Sequence, residues 1–418
     1  MKYLLLGNGF DIHHKLPTKY GNVIKVFDFW MNSTYKYIYL SDLINAYIED
    51  NPDDQEISNY YLTYREQINK TIIDHRRSVN ILENLQKNIW FRYVLKSMKS
   101  SGENWVDFEH TISEVLSLLR NIYKNNLKLN QYIHKDAVPI NIGYYNQQNL
   151  LDAFDEFFVL HEEGCAGCRF DYLKRNFIDD YSHIDLEKMF SKLYEQLQEL
   201  KKAFCFYFDV FVNNVVSDKY QSISILDLPP IDFVINLNYT DTYEKIYIPD
   251  EQTTAIIHYH GDANKGDIVL GINSDQDDEY SEKSSYPDAT CLLFKKYYQR
   301  VFYQCDVNYL TIVRNFLRSS QTDEKDQDNN ELIIIGHSLD ITDKDVLLEL
   351  FTACKRIYIY YHNNKAFGEY IKKLIILLGK KEFEQLRKDG RLHFYELHTY
   401  GLDYTTLKSL RRAKIKNK

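Results

Sequence analysis

The chain has 418 residues, enough for two or three domains or for one domain with a large insertion, and its 44% hydrophobic and 27% charged residues suit a globular protein with a sizeable core. A net charge of −9 argues against a general nucleic-acid binder, which carries a basic face, and no run reaches the roughly 18 apolar residues of a membrane span. The six cysteines are scattered and only Cys165 and Cys168 are close; a zinc site needs about four ligands, so no metal is expected, and the thiols together with the absence of a leader before the first strand point to a cytoplasmic protein.

The first element is KYLLLG (2–7), a short apolar run ending in glycine, which predicts a buried strand. It runs into Gly7-Asn8-Gly9-Phe10-Asp11. Glycines directly after a buried strand let the backbone approach a phosphate, with amides and a helix N-terminus facing it. Ile12 stands where GxGxxG would place its third glycine, and a plain strand-to-helix turn is the competing reading. Asp11 is placed either to cap that helix or to accept from a ribose hydroxyl. His13 and His14 are expected on a solvated helix face.

From 20 to 218 helical patterns dominate. Trp105, Phe108, Ile112, Val115, Leu116 and Leu119 form one apolar stripe, and Leu186, Met189, Phe190, Leu193, Leu197, Leu200 and Phe204 another. Glu109, one turn after Trp105, either sits at the core edge or reaches into a cleft. Residues 127–148 read as loop.

Strand signals resume with DFVINLN (232–238), AIIHYHG (255–261) and DIVLGIN (267–273). Asn238 ends the first of these, where it can hold a water or a ribose hydroxyl, and Asp241 follows at the start of the next helix. Alternation places His258 and His260 on one face. His260, before Gly261 at the strand end, is a candidate general base because imidazole titrates near the working pH; a satisfied structural imidazole is the competing reading. After a polar connector (319–330), the strands ELIIIGHS (331–338), RIYIYYHN (356–363) and RLHFYEL (391–397) alternate with helices at 343–351 and 365–378, as right-handed βαβ units do. Gly336 ends a buried strand, His337 and Ser338 follow at its tip, and Asp343 is placed to cap the next helix. The basic end from Arg411 reads as a solvated tail.

These elements predict an α/β protein. A Rossmann-like, mainly parallel sheet is built from residues 1–20 and 220–418, with a large all-helical insertion, 21–219, after the first strand. Near-continuous apolar runs mark strands covered on both faces. Several strands close with small or polar groups, at the carboxyl edge where open α/β sheets bind ligands.

The opening GNGFDIHHKLPTKY resembles the signature of the AbiH family of phage abortive-infection proteins. WVDFE (105–109), NYTDTYE, HYHG and GHSLDITDKD follow in that family's order. AbiH proteins in turn resemble, more distantly, the sirtuin-like NAD-cleaving domains of bacterial antiphage systems. That resemblance implies a cofactor-holding glycine turn and small-Pro segment at Gly7, Gly9 and Pro17, a catalytic Asn238, a base at His260 and a late turn at Gly336, Ser338 and Leu339. Asn8, Phe10, Thr18 and His337 lie in the same segments and are expected to bind the nucleotide with them. The AbiH resemblance favours a role for Glu109 in the cleft. The chain departs from the sirtuin-like pattern at Asn8, between the glycines, at Phe10-Asp11, where a serine is usual, and at Thr240, where an acid is usual.

The expected activity is hydrolysis of NAD or a related nucleotide at the N-glycosidic bond, in an antiphage effector. Asn238, His260, Asp11 and Glu109 would be its catalytic groups and Asp241 a binding group. No cofactor is required; the nucleotide would be substrate or ligand. A non-catalytic nucleotide sensor and an RNA-targeting nuclease are the alternatives. A phage-derived trigger, a partner protein and a homo-oligomer stay open, and no membrane partner is expected.

Overall fold

Leu4, Leu5 and Leu6 are fully buried and divide between two cores. Leu5 packs with Ile235, Ile334 and Ile359 on one face of a sheet, while Leu4 and Leu6 pack with Val234, Ile333 and Ile335 on the other. Such a strand must lie inside a sheet covered on both sides. The computed structural model places it there, and describes residues 1–33, 36–101, 107–126, 137–140, 153–159, 171–179, 183–217, 228–248, 254–273, 289–305, 307, 309 and 330–397.

Six parallel strands form the main sheet: β1 (Lys2–Leu6), β5 (Phe233–Asn236), β6 (Ala255–His258), β7 (Glu331–Ile335), β8 (Arg356–Tyr361) and β9 (Leu392–Glu396). Their order is β6-β5-β1-β7-β8-β9. The chain therefore builds outward from β1 in one direction, then returns and builds outward in the other. The carboxyl end of β1 is the point of reversal, where connections leave towards opposite sides and a crevice opens. The short helix α1 (Gly9–His13) follows β1 directly.

The segment between β1 and β5 is mostly helical. It carries α2 (Tyr20–Asn32), α3 (Leu40–Asp50), α4 (Gln55–Ile68), α5 (His75–Lys87), α6 (Ile89–Ser101), α7 (Phe108–Asn125) and α8 (Leu186–Phe208). Asp side chains cap four of these starts: Asp54 accepts from the Ile57 amide, Asp74 from Arg77, Asp107 from His110 and Asp185 from Lys188. The segment is not all-helical. β2 (Ala137–Ile140), β3 (Phe158–Val159) and β4 (Asp171–Lys174) make a small antiparallel sheet, and β2 lies within the stretch read as loop. Its strands are two to four residues long, too short to show a period.

Buried tyrosines tie this insertion to the chain leaving α1. The Tyr64 hydroxyl donates to the His14 carbonyl at 2.8 Å, and Tyr207 donates to Pro17 at 3.0 Å. Among the 36 tyrosines, these provide an apolar body for the core and a donor for backbone that would otherwise be buried unpaired.

The second half adds α9 (Thr242–Tyr247), α10 (Lys296–Tyr303), α11 (Lys344–Ala353), α12 (Asn364–Leu378) and α13 (Lys380–Lys388). The expected strand at 267–273 does not form. Side chains and loop backbone take its hydrogen bonds instead. Gln299 accepts from the Leu270 amide and donates to its carbonyl, at 3.1 and 2.9 Å, while Val269 donates to the His260 carbonyl and accepts from the Tyr239 hydroxyl. Trp105, Cys165, Cys168, the tail from Arg411 and the connector before Asn330 lie outside the described residues. No helix among the described residues is long and apolar enough to cross a membrane.

Candidate functional site

The glycines after β1 are required by packing. A Cβ on Gly7 would lie 2.5 Å from the His337 Cα, and one on Gly9 would lie 2.8 Å from the Gly336 Cα. The Gly9 amide donates to the Gly336 carbonyl at 2.8 Å, Gly7 to Ile335 at 3.1 Å and Phe10 to Gly7 at 2.8 Å. The turns after β1 and β7 thus lie backbone against backbone, and these three amides are already bonded within the protein.

Around this seam lies a cavity of about 730 Å³, within the ordinary range for small-molecule sites. Gly7, Asn8, Gly9, Asp11, Thr18, Glu109, Asn238, His260, Gly336, His337 and Ser338 all line it. Five elements thereby meet: the ends of β1, β5, β6 and β7, and the start of α7 from the insertion.

Three predicted residues face elsewhere. Phe10 is packed among His14, Tyr243 and Tyr247 as core. The Pro17 carbonyl is held by Tyr207. Asp241 pairs with Lys245 at 3.1 Å and accepts from Asn264, without capping α9. His14 is not solvated: its Nδ1 lies 2.8 Å from the Phe10 carbonyl and its Nε2 2.7 Å from the Tyr247 hydroxyl, and burial lowers its pKa to about 4. His13 is also largely enclosed, and its Nε2 is buried with no hydrogen-bond partner. β6 ends at His258, so strand alternation does not carry on to His260. His258 pairs with Glu244 at 2.6 Å and does not line the cavity.

The cavity floor is an ionic cluster. Lys296 Nζ lies 2.6 Å from Glu109 Oε1 and 3.0 Å from Asp343 Oδ1. Asp343 Oδ2 lies 3.1 Å from His337 Nε2, and Asp343 Oδ1 lies 3.2 Å from His260 Nε2 without hydrogen-bond alignment. His337 Nδ1 accepts from the Leu339 amide, which leaves the neutral ring's proton on Nε2 to donate to Asp343. Asp343 heads α11 but its side chain does not cap it; these cations and imidazoles engage it instead.

Burial alone would raise the Asp343 pKa, but Lys296, His260 and His337 outweigh it and hold Asp343 well below the usual carboxylate range. Burial raises Glu109, against the pull of Lys296. Burial lowers His260, so its ring is neutral near pH 7. Across the cavity, burial raises Asp11 to about 7, opposed by hydrogen bonds from Thr240 and Thr242; the Thr240 hydroxyl donates to Oδ2 at 2.6 Å. Asp11 Oδ1, Glu109 Oε2 and His260 Nε2 are all buried without a hydrogen-bond partner.

A family model described as bacteriophage abortive infection AbiH matches residues 3–361, which span every one of these groups. The chain belongs to the AbiH family. Membership carries a role in phage abortive infection. No curated protein and no solved structure matches it.

Sequence reasoning missed Lys296 in this AbiH chain because α10 is amphipathic in the inverted sense. Lys296, Gln299 and Arg300 are buried on one face, while Tyr297 and Phe302 are each 63% exposed. An apolar stripe normally marks the buried face, so only the ionic partners reveal that the charged face points inward. Thr240, read as a departure from a motif, proves to be the hydrogen-bond donor to Asp11.

Asp11 gives this AbiH chain a pH-dependent stability. Its folded pKa, about 7, lies above the ordinary aspartate value of 3.8, so the folded state binds the proton more tightly. The contribution is complete below about pH 4 and is lost as pH rises through 7, by on the order of 2–4 kcal/mol. Asp11→Asn is expected to flatten that slope. Urea unfolding at pH 5 and pH 8 checks it: equal pH slopes for wild type and variant would refute the assignment.

Proposed function

We propose that the cavity binds NAD or a related nucleotide and hydrolyses its N-glycosidic bond, as the chemical step of abortive infection. The observation that carries this reading is the convergence of Asp11 Oδ1, Glu109 Oε2 and His260 Nε2, all buried without a hydrogen-bond partner, on one cavity at the strand-order reversal. Breaking the bond to the base leaves oxocarbenium character on the ribose. Ionised Asp343 and the partner-sharing Glu109 make the floor favourable to positive charge. Neutral His260 accepts a proton from the attacking water, a step worth typically ~10²–10⁴-fold. Asn238 orients the water or a ribose hydroxyl. The bonding pair leaves with the base; where that base needs a proton, Asp11, with its pKa of about 7, supplies it.

A second reading, a sensor that binds the nucleotide without turnover, draws support from the cavity wall. Gly21, Asp107, Glu109 and Phe208 come from the insertion, and the other lining groups from the strand ends of the sheet and the turns and helices that flank them, so a ligand touches both. The test is chromatographic assay of NAD with purified protein, with and without phage lysate, beside His260→Ala. Loss of NAD that the variant lacks supports hydrolysis. Calorimetric binding with no such loss supports the sensor, and absence of both sinks the nucleotide reading.

A further inference from the structure

Three amides of the glycine turn are not available to a phosphate: those of Gly7, Gly9 and Phe10 donate to protein carbonyls, and the space over the glycines is filled by Gly336 and His337. α1 has five residues, too short for a useful dipole. With those three amides taken, an anion entering the cavity needs cationic and donor side chains.

His13, Lys15 and His362 are the candidates, and all three line the cavity. His13 ends α1, and its buried Nε2 has no hydrogen-bond partner. Burial, followed by Lys15, lowers the pKa of His13, so its ring meets an anion as a hydrogen-bond donor while Lys15 supplies the charge. The acids that α12 and the loop after β7 bring to the same wall already have cations: Asp340 lies 2.8 Å from Lys373, and Glu369 lies 3.8 Å from Lys372. Lys15 has no ion pair among the described residues.

The backbone adds an independent sign. Lys15 has φ +63°, in the left-handed region that glycine or asparagine normally occupies just past a helix end. Its amide donates to Ile12 and the next amide, of Leu16, donates to Asp11, closing the helix around it. A lysine there is strained relative to glycine. Strain kept where a cation faces a cavity is a reason to look for what the cation binds.

We infer that His13, Lys15 and His362 form an anion subsite for the pyrophosphate of the ligand. The subsite stands on its own geometry; that its ligand is a nucleotide rests on the proposed function. Lysine serves phosphate as a point charge, and imidazoles add directional bonds.

The test is calorimetric titration of the full chain with inorganic pyrophosphate, ADP and adenosine. Lys15→Gly relieves the backbone strain, so its melting temperature is expected to hold or rise while pyrophosphate and ADP affinities fall at least about fivefold. A His13→Gln, His362→Gln double variant is expected to weaken the same two ligands and leave adenosine unchanged. The subsite is overturned if wild type binds no pyrophosphate, or if both variants keep its affinity within about twofold. Should pyrophosphate bind and respond to the variants while adenosine does not bind and ADP binds no better than pyrophosphate, the subsite stands and the nucleotide reading fails.

Discussion

Lys296→Met is expected to destabilise the protein by about 3–5 kcal/mol, the usual result of removing one partner from a buried ion cluster. Lys296 is 3% exposed and serves two carboxylates, Glu109 on α7 and Asp343 at the head of α11. Methionine fills the space of the lysine stem but leaves both acids in low dielectric with no cation. Because those acids come from the insertion and from the sheet, the loss also loosens the contact between them at the cavity. Burial works against the charge on Lys296, but Asp343 and Glu109 outweigh it and hold its pKa above the ordinary lysine range, so the ammonium stays charged wherever the fold persists. The deficit in the variant should shrink as pH falls, because protonation discharges the orphaned carboxylates. Adding Asp343→Asn should recover part of the stability. Denaturant unfolding across pH 5 to 8 measures all three effects; a Lys296→Met protein as stable as wild type at pH 8 would show that the cluster does not hold the floor together.

Gly336→Ala is expected to cost at least about 3 kcal/mol, or to prevent folding, because strain and overpacking add at one atom. Gly336 has φ +69°, and its added Cβ would lie 2.1 Å from the Phe10 nitrogen and 2.5 Å from the Gly9 carbonyl carbon. Neither is the end of a movable side chain, so relief requires parting the β1 and β7 turns. Gly266→Ala separates the two contributions. It has φ +74° with nothing within 4 Å of the added carbon, and should lose only the left-handed preference, about 1 kcal/mol. Comparable losses in the two variants would mean that the seam between the turns is not tightly packed.

Both substitutions show how function-bearing positions divide between what can be read locally and what cannot. The strands were legible because a strand buried on both faces must be apolar throughout: LLL in β1 and LIII in β7 admit no other placement once they end in glycine. The helices of the insertion were legible because one face meets a core and the other meets water, as Leu186, Met189, Leu193, Leu197 and Leu200 show on α8. A strand at 267–273 was misread for the converse reason. Its residues are buried and apolar, but a glutamine side chain and loop carbonyls take the hydrogen bonds a neighbouring strand would have supplied. Periodicity reports burial and says nothing about the partner.

From its residues alone, the chain determined a parallel α/β sheet interrupted after its first strand, a mostly helical insertion, and AbiH membership through motifs that keep their order. Those features depend on local periodicity and on short contiguous strings, which are properties of sequence. Only the tertiary structure decided that Asp11 and Thr240, 229 residues apart, share a hydrogen bond, and that Lys296 links Glu109 to Asp343. It also decided that the opening glycines are taken up in packing against Gly336, and that Lys15 and His13 line the same cavity as His362. Each of these is a meeting of distant segments at the edge of one sheet. Strand order creates such meetings, and strand order is set by long-range packing that no window of sequence contains.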